Sequence, residues 1–434
     1  MLEHWPDSRL HVCNGLHNDC LKMNIKLLLL FITMSRVLLL ENIHKHAEEL
    51  LVGEGFEVNR ISGSLTEDQL CEILVEYEFV GIRSATSLTE RVLRTNPHLR
   101  GVGCFCIGTN QVDLDVAKRL GIPVFNSPYS NSRSVAELII CQIISLSRCL
   151  GDRNKEMHNG IWNKTAKNCY EIRGKTLGIV GYGHVGSQLS VLAENMGMNV
   201  IYYDIEPKLA HGNAKVQDTL DDLLMKSEFV SLHVPLTELT RRMIGKEQLE
   251  KMKCGGYLLN ASRGEVVILE DLVDSIKSGY LSGAYLDVYP KEPKMNCDYY
   301  EGNECCKGVP NLIMTPHIGG STEEAQWAIA EEVSRKFIGY YRLGTTIGSV
   351  NFPQLNLMLP KNCVCRIVNI HYNVPGVLKK LNQIIDETIN VVQQFLSTDE
   401  IIGYIVFDVE GNCDEIIKRL NASGEFIRSY KVGN

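Results

Sequence analysis

The chain has 434 residues, 44% of them hydrophobic and 22% charged, which is enough apolar material for large buried cores and, by length, for two or three domains. A formal net charge of −8 argues against a broad electrostatic footprint for nucleic acid and leaves room only for a local basic pocket suited to an anionic substrate. Fifteen cysteines, among them Cys71, Cys104, Cys106, Cys141 and Cys149 in apolar segments, fit small buried hydrophobes in a reducing cytosol.

In chain order, Ile25-Lys-Leu-Leu-Leu-Leu-Phe-Ile-Thr33 is apolar but too short to span a bilayer. Acidic residues and histidines precede it, and no small-residue cleavage site follows. Residues 1–33 therefore read as an appended leader of unassigned role, on a cytoplasmic protein with no membrane partner. From Val37 short apolar strands alternate with amphipathic helices: strands at 37–40, 57–61, 79–83, 101–106 and 124–125, helices at 44–53, 67–77 and 114–120 between them. That alternation predicts a doubly wound α/β domain. The small and apolar residues of 134–150 predict one long connecting helix.

A second unit opens with Lys175-Thr-Leu-Gly-Ile-Val-Gly-Tyr-Gly-His-Val-Gly186, then a helix pattern to Met196 and a strand at 199–204. Further strands are expected at 229–234, 256–260, 283–287 and 312–315, nearly all apolar, as strands covered on both faces should be. Cys297, Cys305 and Cys306 share one loop, but they lack paired zinc spacing and have no histidine between them, so no metal is expected. The helix pattern 322–341 returns the chain to the first domain. After Phe352-Pro-Gln354 and a polar linker through Pro360-Lys-Asn362, the order strand, helix, two strands, helix, strand predicts a ferredoxin-like βαββαβ unit.

Gly181, Gly183 and Gly186 form G-x-G-x-x-G after a strand and at the opening of a helix, where glycines allow a tight turn and close approach of a pyrophosphate. Asp204 ends the next strand roughly 20 residues on, where a carboxylate accepts from ribose hydroxyls and repels a 2′-phosphate; this favours NAD over NADP, with Lys208 close enough in sequence to soften the preference. Hydride transfer from a secondary alcohol also needs a proton acceptor and a cation for the substrate carboxylate. Arg263 in Asn260-Ala-Ser-Arg-Gly264 offers a planar fork at a strand's carboxyl end, and His317 in Thr315-Pro-His-Ile-Gly-Gly320 offers an imidazole. Glu292 in Tyr289-Pro-Lys-Glu-Pro293 could hold the imidazolium and raise its pKa. Singly these would read as an ion pair, a helix cap and a solvated loop charge; together, at the ends of successive strands, they read as a catalytic set.

These motifs, with Gly103-Cys-Phe-Cys-Ile-Gly-Thr-Asn-Gln-Val-Asp-Leu114, Ser132-Arg-Ser-Val-Ala-Glu137 and Ser231-Leu-His-Val-Pro235, resemble the D-isomer-specific 2-hydroxyacid dehydrogenase family from about Met34 to the end. The resemblance implies two doubly wound domains, with residues 34–130 and 318–353 as a discontinuous substrate-binding domain and 131–317 as the Rossmann NAD-binding domain. It implies that Arg263 binds substrate, His317 is the acid/base and Glu292 its partner. It implies NAD contacts at Gly181, Gly183, His184, Val185, Gly186, Asp204, Val234, Ala261, Ser262, Arg263, Asp287, His317, Gly319 and Gly320. Substrate contacts are implied at Arg83, Ser84 and Asn131, and at Trp162 and Lys164, which the family contributes from a neighbouring subunit. The branch of closest resemblance oxidises the C2 hydroxyl of 3-phosphoglycerate, the first step of serine synthesis. Its phosphate-binding cations are incomplete here, because Ala85 and Ser62 stand where the family places an arginine and a lysine; each lost contact is worth roughly 1.5–3 kcal/mol and predicts a raised KM. Two alternatives stay open: reduction of an unphosphorylated 2-keto acid such as 2-oxoglutarate, and an NAD-binding corepressor-like role. Residues 362–434 resemble an ACT regulatory domain, with His371, Asn373 and Asn390 at positions that bind L-serine between paired domains. Against that resemblance, a glycine expected before Asn390 is missing, with one residue deleted near Thr388, as is a hinge glycine pair near 360–363, so a purely oligomerising role is the competing reading. A homo-oligomer, a tetramer through the NAD and ACT domains, is implied.

Overall fold

In the computed structural model, which describes residues 34–293, 296–302, 304–360, 365–385 and 389–432, the short apolar runs become parallel strands. The leader and the segment around Thr388 lie outside these residues. Strands β1 (Arg36–Leu39), β2 (Glu57–Arg60), β3 (Phe79–Ile82), β4 (Gly101–Cys104) and β5 (Val124–Asn126) form an all-parallel sheet in the order β2-β1-β3-β4-β5. A second parallel sheet holds β6 (Thr176–Val180), β7 (Asn199–Tyr203), β8 (Lys215–Val216), β9 (Phe229–Leu232), β10 (Tyr257–Asn260), β11 (Gly283–Leu286) and β12 (Leu312–Met314), in the order β12-β11-β10-β9-β6-β7-β8. The two exposed residues of β8 at its edge carry no apolar run, so no sequence pattern announces that strand. The order reverses between β9, β6 and β7, and a crevice at the carboxyl ends of such strands is where doubly wound folds take ligands.

The third sheet is antiparallel: β13 (Cys365–Tyr372), β14 (Asn390–Thr398), β15 (Ile402–Glu410) and β16 (Arg428–Val432), ordered β14-β15-β13-β16, with helices Val377–Ile384 and Cys413–Ala422 between strands, the ferredoxin-like pattern. Its helices cover one face, where Ile367, Ile405 and Phe407 meet Leu381, Ile416 and Leu420. The other face carries Val368, Ile370, Tyr404 and Val406 into one continuous core with Phe79, Phe105 and Phe125 of the first sheet and with Val333, Phe337 and Tyr340 of the helix Glu323–Leu343. That helix, which follows the last strand of the second sheet, thus packs against the first.

Two expectations need correction. The single helix expected over 134–150 is two, Ser132–Ser147 and Leu150–His158, bent by 68°. The break sits at Cys149, whose φ of 50° lies in the left-handed region and cannot continue a right-handed helix. Nor are the cysteines uniformly small buried hydrophobes: Cys141 is exposed, and Cys365 and Cys413, with Cα atoms 6.2 Å apart, form a disulfide between β13 and the helix Cys413–Ala422. Among the described residues no single helix is long and apolar enough to cross a membrane.

Candidate active site

The glycine turn after β6 is held by the next strand. Tyr182 N donates to Asp204 Oδ2 at 2.8 Å and Glu206 N to Asp204 Oδ1 at 3.0 Å, so the carboxylate at the end of β7 is tied to the turn it faces. The helix His184–Asn195 starts at the turn and points its free N–H groups into the crevice. A Cβ on Gly186 would stand 2.3 Å from Gly181 O, so helix and turn can approach this closely only with glycine there. Beside Gly183 nothing lies within 4 Å of a Cβ position, which leaves the outer side of the turn open for a pyrophosphate. Lys208, the cation close to Asp204 in sequence, is paired with Glu206 at 2.8 Å. This donor set fits a dinucleotide of the NAD type.

Three strand ends bring the remaining groups together. After β10, Asn260 Oδ1 accepts from Ser262 N and Oγ at 3.0 and 2.8 Å, and Asn260 Nδ2 donates to Arg263 O at 3.0 Å, which shapes the turn that presents Arg263. After β12, His317 has a φ of 53°, and its turn is clamped by Asp287 at the end of β11. The Asp287 carboxylate, in a residue only 1% exposed, accepts from Thr315 Oγ1, Ile318 N and Gly319 N at 2.5, 2.9 and 2.8 Å. His317 Nδ1 meets Glu292 Oε2 at 2.6 Å. A carboxylate only accepts, so Nδ1 carries the hydrogen and Nε2 is left for substrate. This hydrogen bond raises the His317 pKa above its ordinary value, against the opposing effect of partial burial. Burial alone would push Glu292 up; the bonds from His317 and from Tyr289 N, with Arg263 nearby, outweigh it and leave Glu292 lowered and ionised.

Arg83 follows β3, and Gln111 Nε2 donates both to its carbonyl, at 2.7 Å, and to Cys106 Sγ, at 3.3 Å. Burial pushes that thiol up to about 11, although the Gln111 amide and the guanidinium groups of Arg83 and Arg263 all act to lower it. Asn131, just before the helix Ser132–Ser147, lies against Gly320, where an added Cβ would be 2.4 Å from Asn131 Nδ2. The clamping roles of Asn260, Asp287 and Glu41 are absent from the motif reading: Asn260 accepts from Ser262 N, Asp287 from Ile318 N and Gly319 N, and Glu41 from the N–H groups of Arg83, Ala85 and Thr86, so that for the last two the partners lie tens of residues away.

Other expected residues are not gathered here. Trp162, 79% exposed, and Lys164 stand on the exposed segment that follows the helix Leu150–His158. In the third sheet His371 is 1% exposed, with Nδ1 on Asn369 Oδ1 at 2.9 Å, while Asn373 Nδ2 donates to Asp399 O and Asn390 Nδ2 to Glu410 Oε2. His371 pairs with Gly403 and Asn390 with Glu410, so the two are about seven residues, roughly 23 Å, apart along β15. One chain does not bring these residues into a common pocket.

Comparison with known proteins matches residues 140–319 to the NAD binding domain of the D-isomer specific 2-hydroxyacid dehydrogenases. The chain is 53% identical over 384 residues to D-3-phosphoglycerate dehydrogenase of Dictyostelium discoideum, covering 88% of this chain and 93% of that one. It is 46% identical over 389 residues to D-3-phosphoglycerate dehydrogenase of Escherichia coli K12, covering 89% and 94%. Among solved structures, D-lactate dehydrogenase from Aquifex aeolicus, complexed with NAD and lactic acid, superposes with a TM-score of 0.60 at 26% identity, over 70% of this chain and 95% of that one.

Proposed function

The chain belongs to the D-isomer specific 2-hydroxyacid dehydrogenase family, and from that premise we propose that it oxidises the C2 hydroxyl of 3-phosphoglycerate to 3-phosphohydroxypyruvate with NAD, the reaction that opens serine synthesis. The observation that carries this reading is the 2.6 Å His317–Glu292 pair beside Arg263 at the mouth of the dinucleotide sheet. Bound NAD supplies the hydride acceptor. The side chains supply the rest. Arg263 grips the C1 carboxylate with its planar fork and fixes C2 between itself and the imidazole. His317 Nε2 takes the hydroxyl proton as C2 gives up its hydrogen as hydride and the O–H pair closes the carbonyl, and Glu292 stabilises the resulting imidazolium through Nδ1 without itself taking the proton. Gly181, Gly183, His184, Val185, Gly186, Val234, Ala261, Ser262 and the Gly319-Gly320 turn line the coenzyme's path, with Asp204 on the adenosine ribose. Arg83, Ser84 and Asn131 face the distal end of the substrate.

The exposed Trp162 and Lys164, and the separation of Asn390 from His371, support a homo-oligomer in which a second copy completes both the substrate pocket and a site for L-serine. The same reading places residues 34–130 with 318–353, 131–317 and 362–434 as substrate-binding, coenzyme-binding and regulatory domains of a cytoplasmic enzyme.

The test follows NADH absorbance with 3-phosphohydroxypyruvate and with 2-oxoglutarate. Turnover of the first at lower KM is expected. Preference for the second, or turnover of neither, would overturn the assignment. Arg263→Ala and His317→Ala should each lower kcat/KM by roughly a hundredfold or more while NADH still binds.

A further inference from the structure

The loop after β3, residues 83–86, is held from outside itself. Glu41, just beyond β1, accepts the N–H groups of Arg83 at 3.1 Å and Thr86 at 2.9 Å on Oε1, and that of Ala85 at 2.9 Å on Oε2. From the opposite side Gln111 Nε2 donates to Arg83 O at 2.7 Å and to Gly108 O at 3.2 Å. Both main-chain groups of Arg83 are thus fixed by side chains more than 25 residues away in sequence. Glu41 and Asn42 themselves have φ of 58° and 51°, conformations that non-glycine residues keep only where their surroundings over-determine them.

Converging amides of this kind form a concavity that ordinarily takes an anion. Here a resident carboxylate fills it, so the amides of residues 83, 85 and 86 are closed to a substrate phosphate. Recognition of the distal anion then falls on side chains. With Ala85 in the loop, Arg83 is the cation it supplies. A guanidinium on a flexible stem is useful only if its Cα and exit direction are fixed, because an error of an ångström in placing a binding group can cost about a hundredfold in rate. Gly63 O, which accepts from Glu41 N at 3.2 Å, ties the turn after β2 to the same carboxylate-bearing residue.

We propose that Glu41 is a positioning residue for the substrate's anionic end: it occupies the amide nest of residues 83–86, withholds that nest from the substrate, and sets where Arg83 presents its guanidinium. This rests on the reading that Arg83 contacts the distal anion of a phosphorylated substrate.

The experiment is a double-mutant cycle on the full chain, measuring kcat and KM for 3-phosphohydroxypyruvate and the Kd of NADH by fluorescence. Glu41→Gln is expected to raise KM roughly tenfold, with kcat and NADH affinity near wild type; in an Arg83→Ala background it should raise KM no further. Gln111→Leu, which releases the other side of Arg83, should give the same split and the same loss of effect, and serves if Glu41→Gln fails to fold. Unchanged KM in the folded variant, additive effects in the two backgrounds, or parallel losses of kcat and NADH affinity would overturn the proposal. A normal KM in Arg83→Ala alone would remove the underlying reading and take the proposal with it, a failure distinguishable from the others.

Discussion

With His317 as the proposed base, the Glu292 pair is expected to set the pH at which it works. Oxidation of an alcohol by this route needs the imidazole neutral, so kcat/KM in that direction should rise with pH through the His317 pKa of the free enzyme, and the hydrogen bond His317 donates to Glu292 raises that value above its ordinary place. In the reverse direction the imidazolium is the active form, and activity should fall across the same interval. Glu292→Gln removes the charge but keeps an acceptor; it should move the inflection to lower pH and reduce kcat by roughly a hundredfold. A pH profile whose inflection stays put in the variant would show that the pair is not what tunes the base. Arg263, Glu292 and His317 are legible in the sequence because each stands in a short motif at a predicted strand end. Asp287 and Glu41 are not legible in the same way: Asp287 accepts from Ile318 and Gly319, 31 and 32 residues on, and Glu41 from residues 42 to 45 positions on, so no local spacing reveals what either one holds.

Elements matter here chiefly for how closely they can approach. Gly264 follows Arg263, and a Cβ on it would stand 1.9 Å from the Tyr289 carbonyl carbon and 2.4 Å from Pro290 N, both main-chain atoms of the segment that leads to Glu292. The Arg263 turn therefore lies against the Glu292 loop only because position 264 has no side chain. Gly264→Ala should force the two apart, costing about 1–3 kcal/mol of stability and lowering kcat/KM by roughly a hundredfold through misplacement. A melting curve and kcat/KM both near wild type would refute the close-approach argument. Apart from β8, the strands of the two parallel sheets were foreseeable, most of them from apolar runs, since a buried parallel strand must be apolar on both faces. The break at Cys149 was not, because the apolar periodicity runs through it and only the backbone dihedral ends the helix.

On the scale of the whole molecule the C-terminal sheet is not a loosely tethered appendage. Sequence order identifies its ferredoxin-like strands, but it carries no signal that one face shares a core with the helix Glu323–Leu343, because docking depends on residues far apart in the chain. Arg366 is the joint. It is 3% exposed, pairs with Asp408 through two bonds of 2.6 and 2.7 Å, and donates Nη1 to the carbonyls of Leu343, at the end of that helix, and Met358. Removing one member of such a pair strands a buried charge, so Asp408→Ala should cost about 3–5 kcal/mol. Because the core runs unbroken between the sheets, the loss should lower one shared calorimetric transition of the C-terminal sheet and the first sheet. Arg366→Met combined with Asp408→Leu should recover part of it, since no charge is left unpaired, but not all, because the two carbonyls lose their donor. A separate low-temperature transition for the C-terminal sheet in the single variant would mean that the shared core does not couple the two sheets.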